Sequence, residues 1–183
     1  GSFDPPHLGH AALATIAQAQ LGLDLVLWLV AADQWQKQTS TPAEIRAHMA
    51  ELAIAGHRDW QVSYVDLDRS GPTYTIDSIA ALELAWPDAE LVFLLGADAV
   101  AGLATWHDAA RLAQRVKFAA APRAGETTAV PAGFRVQWLD ADIADVSSSE
   151  IRARVAAGCG VADLLDLLSS SVAEYVIEVG LYK

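Results

Sequence analysis

Two histidines near the start of the chain, in His7-Leu8-Gly9-His10, are the residues best placed to do chemistry. A helical pattern begins at Leu8, and side chains three residues apart on a helix share a face. Both imidazoles can therefore reach one point beside the helix N-terminus, where free amides and the helix dipole favour an anion. Gly9 leaves room for a ligand to approach the backbone. The pattern predicts a phosphate site, with half of a metal site and ordinary helix residues as the alternatives.

A second polar cluster lies far along the chain, in Val146-Ser147-Ser148-Ser149-Glu150-Ile151-Arg152. Three hydroxyl side chains precede an amphipathic helix, and this pattern alone is typical of an N-cap followed by a capping glutamate. Arg152, however, lies near the positive end of the helix dipole, where a cation is unfavourable. A bound anion would remove that conflict, so Arg152 is predicted to be an anion ligand.

The composition limits the classes of function. Of the 183 residues, 53 % are hydrophobic, which is enough for a substantial core. The formal net charge of −11 disfavours nucleic acid and anionic membranes as partners. The single cysteine, Cys159, excludes an internal disulfide and a multi-cysteine zinc site. No secretory leader pattern opens the chain, so we expect a cytoplasmic location.

The elements that must position these residues follow from apolar runs that alternate with helical patterns. Strands are predicted at residues 25–30, 61–65, 91–95, 116–121 and 134–139. Helices are predicted at residues 8–21, 42–55, 75–86, 148–157, 161–168 and 172–179, with Thr41 as the N-cap of the second. This alternation predicts an α/β fold with a Rossmann-like, doubly wound parallel sheet and a helical C-terminal portion, in one domain over residues 1–183.

The sequence begins at Gly1-Ser2-Phe3-Asp4-Pro5-Pro6-His7, with no strand pattern ahead of the first helix. A glycine turn that leads into a helix of an α/β sheet normally follows a strand. We therefore expect an apolar strand ahead of Gly1 in the natural protein; the alternative is that Gly1-Ser2 is a cloning remnant.

Together the two clusters resemble the nucleotidyltransferase superfamily that carries a His-x-Gly-His motif and a later Ser-Ser-Thr-x-x-Arg motif. The intervening chain is similar to the bacterial nicotinate mononucleotide adenylyltransferases. The matching segments are Gly-Pro-Thr-Tyr-Thr-Ile-Asp at 71–77, Leu-Gly-Ala-Asp at 95–98, Leu-Ala-Thr-Trp-His at 103–107, Ala-Pro-Arg-Ala-Gly at 121–125 and the ending at 175–182. The resemblance covers nearly the whole chain, in the family's order. It implies adenylyl transfer from ATP to nicotinate mononucleotide in NAD biosynthesis, which yields nicotinate adenine dinucleotide and pyrophosphate.

The resemblance also implies roles for residues at matching positions. The implied catalytic residues are His7, His10, Lys37 and Arg152. The implied ATP ligands are Ser2, Phe3, His7, His10, Gly96, Asp98, Ser148, Ser149 and Arg152. The implied ligands of nicotinate mononucleotide are Thr75, Trp106, His107 and Arg123. Other interpretations are that Trp106 is core and that Asp98 and Thr75 cap helices.

The chain departs from the family's pattern in three places. One glycine precedes Phe3 where the family has two, and Ser149 replaces a threonine but keeps the hydroxyl. The segment Gln34-Trp35-Gln36-Lys37 replaces the Pro-Pro-His-Lys of many members, which changes how this loop would meet its substrate.

The implied reaction needs no general base, because the second pKa of a phosphate monoester is about 6 and the nucleophile is already an anion at neutral pH. Catalysis then rests on aligning the substrates and stabilising phosphate charge, with Mg²⁺ arriving on the ATP phosphates and no resident metal. Three rival functions are a phosphopantetheine adenylyltransferase, an ATP sensor without turnover, and a metal hydrolase built on His7 and His10. The preference for the acid or the amide of the pyridine ring, and the choice between monomer and homo-oligomer, stay open.

Overall fold

The computed structural model describes residues 1–33, 41–69, 71–122, 128–141, 143 and 146–183. Its strands are β1 (Val26–Leu29), β2 (Trp60–Ser63), β3 (Val92–Gly96), β4 (Lys117–Ala121) and β5 (Val136–Trp138). Its helices are α1 (Leu8–Leu21), α2 (Ala43–Ile54), α3 (Thr75–Ala85), α4 (Ala97–Ala101), α5 (Ala109–Arg115), α6 (Ser148–Ala156) and α7 (Ser170–Val179). Short 3₁₀ turns lie at Leu103–Thr105 and Val161–Leu164.

The described strands pair in parallel. β1 pairs with β2, with Val26 opposite Trp60, and the second sheet has the order β3-β4-β5. Gly1 lies beside the end of β1, where the Ala31 amide donates to the Gly1 carbonyl at 2.9 Å. The predicted α/β class with parallel strands is confirmed.

Helices cover both faces of the β3-β4-β5 sheet. Phe118 and Ala120 of β4 pack with residues of α3 and α5, whereas Ala119 between them packs against Ala17 of α1. Successive side chains of a strand point to opposite faces, so this strand needs apolar residues at consecutive positions. The doubly wound arrangement explains the continuous apolar run at 118–121.

The C-terminal helices pack on α2 around the fully buried Met49. Ile151 and Val155 hold α6 in this cluster, and Val172 and Val176 hold α7. The position of Arg152 is therefore set by the apolar neighbours on its own helix.

Some predicted boundaries are wrong. The predicted helix at 161–168 is only the 3₁₀ turn Val161–Leu164, and the Leu167 carbonyl accepts the amide of Leu8 instead of continuing a helix. Helix α2 begins at Ala43, and Thr41 is not its N-cap: Pro42 holds that position with an extended backbone. The short helices α4 and α5 were not predicted. Among the described residues, no helix is long and apolar enough to span a membrane.

Candidate active site

The two imidazoles of the first motif lie together at the start of α1. Their ring centroids are 3.7 Å apart, and the His7 backbone amide donates to His10 Nδ1 at 3.1 Å. Since Nδ1 of His10 accepts a hydrogen bond, the proton of this ring is on Nε2. His10 therefore presents an N–H donor on the far side of its ring, as a phosphate oxygen requires.

His7 contributes hydrogen bonding rather than positive charge. Burial lowers the pKa of His7 to about 4, so the ring is neutral near pH 7. Its Nδ1 is buried and has no hydrogen-bond partner among the described residues. A Cβ added at Gly9 would lie 3.0 Å from that nitrogen. The His7 ring therefore fills the space that Gly9 leaves. The sequence had predicted that this space would let a ligand approach the backbone.

The expectation of free amides at the α1 N-terminus is largely wrong. The amides of His7 and Leu8 donate to His10 Nδ1 and to the Leu167 carbonyl, and the His10 amide donates to the His7 carbonyl. Only the Gly9 amide of this turn has no partner among the described residues. The side chains, more than the backbone, give this helix end its capacity to bind an anion.

Ser2 and Phe3 form the turn that leads into the motif. Phe3 has a φ of +50°, and its ring stacks on Trp28 at 5.0 Å and meets the edge of His10 at 5.0 Å. The Ser2 carbonyl accepts a 2.7 Å bond from Arg46. A non-glycine residue in the left-handed region is held there by its surroundings, and Phe3 in turn supports one face of His10.

Helix α6 brings the second motif against the first. The Ser148 hydroxyl donates to the Pro5 carbonyl at 2.9 Å, and Arg152 donates to the Asp4 carbonyl at 2.7 Å and to the Ser149 hydroxyl at 3.2 Å. Ser147, as the cap interpretation predicted, accepts from the Glu150 amide. Residues about 140 positions apart in the chain therefore share one site.

The N-terminus of α6 is more open to an anion than that of α1. The amides of Ser148 and Ser149 have no partner within the described part of the chain, and they lie beside the Arg152 guanidinium and the two hydroxyls. A guanidinium has five N–H donors, so Arg152 can keep its bond to Asp4 and still bind phosphate oxygens.

Gly96 and Asp98 follow β3 directly. Gly96 ends the strand and occupies the N-cap position of α4, and Asp98 lies in the first turn of that helix. Asp98 is therefore not the cap that the alternative interpretation required. It lines an open cleft of about 600 Å³ together with residues 128–131.

Thr75, Trp106 and His107 belong to adjoining segments. Thr75 is the first residue of α3, and Tyr74 before it stacks on His107 with a centroid distance of 4.0 Å. Trp106 is half-buried, with its ring edge-on to Phe93 at 5.8 Å. Tyr74 occupies the N-cap position of α3, so Thr75 does not cap this helix.

Buried polar contacts fix the start of α3. The Ser78 hydroxyl donates to the buried Asp66 carboxylate at 2.6 Å, and the Thr73 amide donates to the Asp33 carbonyl at 2.8 Å. Burial raises the pKa of Asp66. Lys37 and Arg123 lie outside the described residues.

Sequence reasoning missed four residues that hold this site together. Arg46, 1 % exposed, donates to the carbonyls of Ser2, Ala32 and Thr41. Tyr182 donates to the Asp4 carboxylate at 2.7 Å, and Asp4 and Thr41 are both buried. One signal was available: Arg46 shares its helix face with the core residues Met49 and Ala50, an unusual position for a cation.

Comparisons with a family model, with similar sequences and with solved structures agree with one another. The model of the cytidylyltransferase-like family matches residues 1–154. A protein of Methylibium petroleiphilum named probable nicotinate-nucleotide adenylyltransferase is 39 % identical over all of this chain and 89 % of its own length. One of the same name from Bordetella petrii is 41 % identical over all of this chain and 96 % of its own. The solved Plasmodium falciparum nicotinic acid mononucleotide adenylyltransferase, complexed with NaAD, has the same fold, with a TM-score of 0.79 at 20 % identity over all of this chain and 94 % of its own.

Proposed function

The chain belongs to the nicotinate-nucleotide adenylyltransferases of the cytidylyltransferase-like family, and we propose that it transfers the adenylyl group of ATP to the 5′-phosphate of nicotinate mononucleotide. The observation that carries this proposal is the junction of the two motifs. Paired imidazoles at the start of α1 and an arginine with two hydroxyls at the start of α6 meet through the carbonyls of Asp4 and Pro5.

The triphosphate lies across this junction in our proposal. His10 donates through Nε2 to the α-phosphate, and neutral His7 adds a second hydrogen-bonding ring beside it. Arg152, the Ser149 hydroxyl and the free amides of Ser148 and Ser149 bind the β- and γ-phosphates, which leave as pyrophosphate. Lys37 and the turn at Ser2 and Phe3 complete the phosphate side of the site.

The reaction is a direct displacement at the α-phosphorus. An oxygen of the mononucleotide phosphate forms the new P–O bond, and the bond from the α-phosphorus to the bridging oxygen of the β-phosphate breaks. The nucleophile is ionised at neutral pH, so no residue has to remove a proton. The protein acts by alignment and by stabilising the charge that builds on the α-phosphate and on the leaving group.

The adenosine and the pyridine ring are proposed to lie on the β3 side of the site. Asp98 is suited to the ribose hydroxyls, beside the cleft it lines with residues 128–131. Thr75, Trp106, the backbone of His107 and Arg123 form the pocket for the nicotinate group. Trp106 offers a ring face for stacking, and a carboxylate on the pyridine needs only donors, whereas a carboxamide needs an acceptor as well.

Magnesium is proposed to enter as the complex with ATP. The described residues contain no group of three or more His, Cys, Asp and Glu side chains that could hold a metal ion. The phosphates of ATP are oxygen ligands of the kind that Mg²⁺ prefers, and the bound ion neutralises part of their charge.

The test is pyrophosphate release from ATP and Mg²⁺ with nicotinate mononucleotide, nicotinamide mononucleotide or phosphopantetheine as acceptor. We expect release with nicotinate mononucleotide and a loss of at least about 100-fold in kcat for His10→Ala, because a donor to developing phosphate charge is removed. His48→Ala is the matched control, since His48 is an exposed residue whose ring meets that of Tyr175 edge-on.

Two results would overturn the proposal. Release with phosphopantetheine alone would assign a different acceptor, and ATP binding without release from any acceptor would identify a sensor. Full activity of His10→Ala would remove this residue from the mechanism.

A further inference from the structure

The phosphate site rests on a buried polar cluster that includes a residue from beyond α7. We define the Asp4 cluster as Asp4, Thr41, Arg46 and Tyr182. Asp4, Thr41 and Arg46 are 4 %, 6 % and 1 % exposed, so their polar groups need hydrogen-bond partners within the protein. The Tyr182 hydroxyl donates to Asp4 Oδ1 at 2.7 Å, which joins positions 178 apart in the sequence.

The chain turns sharply to bring Tyr182 to this place. Gly180 ends α7 with a φ of 73°, and the Leu181 amide closes the turn on the Val176 carbonyl. Tyr182 itself has a φ of +64°, in the region that non-glycine residues rarely adopt. The backbone is thus held in an unfavourable conformation at the residue whose hydroxyl reaches Asp4.

Asp4 links Tyr182 directly to the proposed ligands of the triphosphate. Its carboxylate accepts from Tyr182, and its backbone carbonyl accepts from Arg152 at 2.7 Å. The next carbonyl, of Pro5, accepts from Ser148, and His7 follows two residues later. A shift of Asp4 would therefore move the partners of Arg152 and Ser148 together with the segment that carries His7.

The other half of the cluster consists of Thr41 and Arg46. Arg46 donates to the carbonyls of Thr41 at 3.0 Å and Ala32 at 2.9 Å. The same guanidinium donates to the Ser2 carbonyl at 2.7 Å. The cluster therefore fixes both sides of residues 34–40 against the turn that precedes His7.

We infer that Tyr182 is a positioning residue for adenylyl transfer: its hydroxyl, through Asp4, sets the relative placement of the His7–His10 pair and Arg152. The inference rests on the proposed function. Tyr182 contacts neither the phosphates nor the acceptor. It acts by holding the two motifs in a fixed position relative to each other. Misplacement of catalytic groups by a fraction of an ångström lowers the rate of the chemical step far more than it lowers stability.

The test compares Tyr182→Phe with wild type in the pyrophosphate-release assay, with kcat expressed per folded molecule from an unfolding curve of each protein. We expect kcat to fall about tenfold. The KM for nicotinate mononucleotide should stay within about twofold, because no hydrogen bond joins the cluster to Thr75, Trp106 or His107 among the described residues.

Tyr64→Phe is the matched control. Tyr64 also donates its hydroxyl to a carboxylate, that of Glu51, and among the described residues no hydrogen bond or ion pair joins this pair to either motif. We expect Tyr64→Phe to keep the kcat of wild type within about twofold.

A second variant separates positioning from folding. Asp4→Ala removes the carboxylate that accepts from Tyr182, so Tyr182→Phe in that background breaks no further bond to Asp4 and should lower kcat by less than about twofold more. An unchanged kcat per folded molecule for Tyr182→Phe, or a full additional tenfold loss in the Asp4→Ala background, would overturn the inference. Failure of the proposed function looks different, because wild type itself would then release no pyrophosphate with nicotinate mononucleotide.

Discussion

Gly9→Ala should lower activity without lowering stability. A Cβ at this position would lie 3.0 Å from His7 Nδ1 and 3.1 Å from His7 Cε1. Ordinary carbon contacts are about 3.5 to 4.0 Å, so the His7 ring must move by roughly 0.5 Å. The ring packs on His10 at a centroid distance of 3.7 Å, and the displacement therefore disturbs both imidazoles.

The size of the effect follows from the sensitivity of catalysis to geometry. A displacement of about 1 Å can cost roughly 100-fold in rate, so half of that predicts a loss of about tenfold in kcat. Stability should respond differently, because Gly9 lies within α1 and alanine is the better helix former by up to about 1 kcal/mol. That gain offsets the close contact with His7.

The assay is pyrophosphate release alongside urea unfolding at the same pH. Gly160→Ala is the control, because a Cβ there would meet its nearest atom, Asp163 Oδ2, at an ordinary 3.8 Å. A Gly9→Ala protein with the kcat of wild type would refute the idea that the ring of His7 needs this space. A large loss of stability with unchanged kcat per folded molecule would refute it too.

Two further predictions concern stability. Burial lowers the folded-state pKa of His7 from 6.5 to about 4. Between these pH values the unfolded chain binds a proton that the folded chain does not. The free energy of unfolding should therefore fall by up to about 3 kcal/mol as the pH drops through this range. In urea unfolding at pH 7.5 and 4.5, His7→Gln should lose less unfolding free energy at the lower pH than wild type does. An equal loss in both proteins would contradict this role of His7. Ser147→Ala should cost about 1 kcal/mol through loss of the α6 N-cap, and an unchanged urea midpoint would contradict this role.

The strands and the long helices were predictable because local pattern reflects burial. The run at 118–121 is apolar at consecutive positions because α1 packs on one face of β4 and α3 and α5 on the other. The short helices α4 and α5 escaped prediction, since five and seven residues are too few to establish a helical period. The segment predicted as a helix at 161–168 is a 3₁₀ turn followed by further turns, and apolar spacing over so few residues does not separate these from an α-helix.

Within the candidate site, the residues that the sequence predicted are those that lie close to one another along the chain. His7 and His10 are three positions apart, and Ser148, Ser149 and Arg152 lie within one helix turn or so. The residues that hold them together could not be found this way. Arg46 binds carbonyls that any residue type could supply at positions 2, 32 and 41, and Asp4 meets Tyr182 only after the chain has folded.

The reason that the sequence analysis gave for Gly9 was wrong. The sequence correctly identified a position that requires a small residue, but the reason lies in the neighbouring side chain. The His7 ring folds over Gly9, and burial there keeps the imidazole neutral. Rotamer choice and burial of this kind depend on the packed structure and not on spacing.

In our proposal, this site joins the adenylyl group of ATP to nicotinate mononucleotide. The most direct measurement is the mass of the product after wild-type protein is incubated with ATP, Mg²⁺ and nicotinate mononucleotide, with pyrophosphate measured in the same sample. We predict nicotinate adenine dinucleotide and pyrophosphate in equal amounts. Unchanged mononucleotide beside intact ATP would contradict the claim.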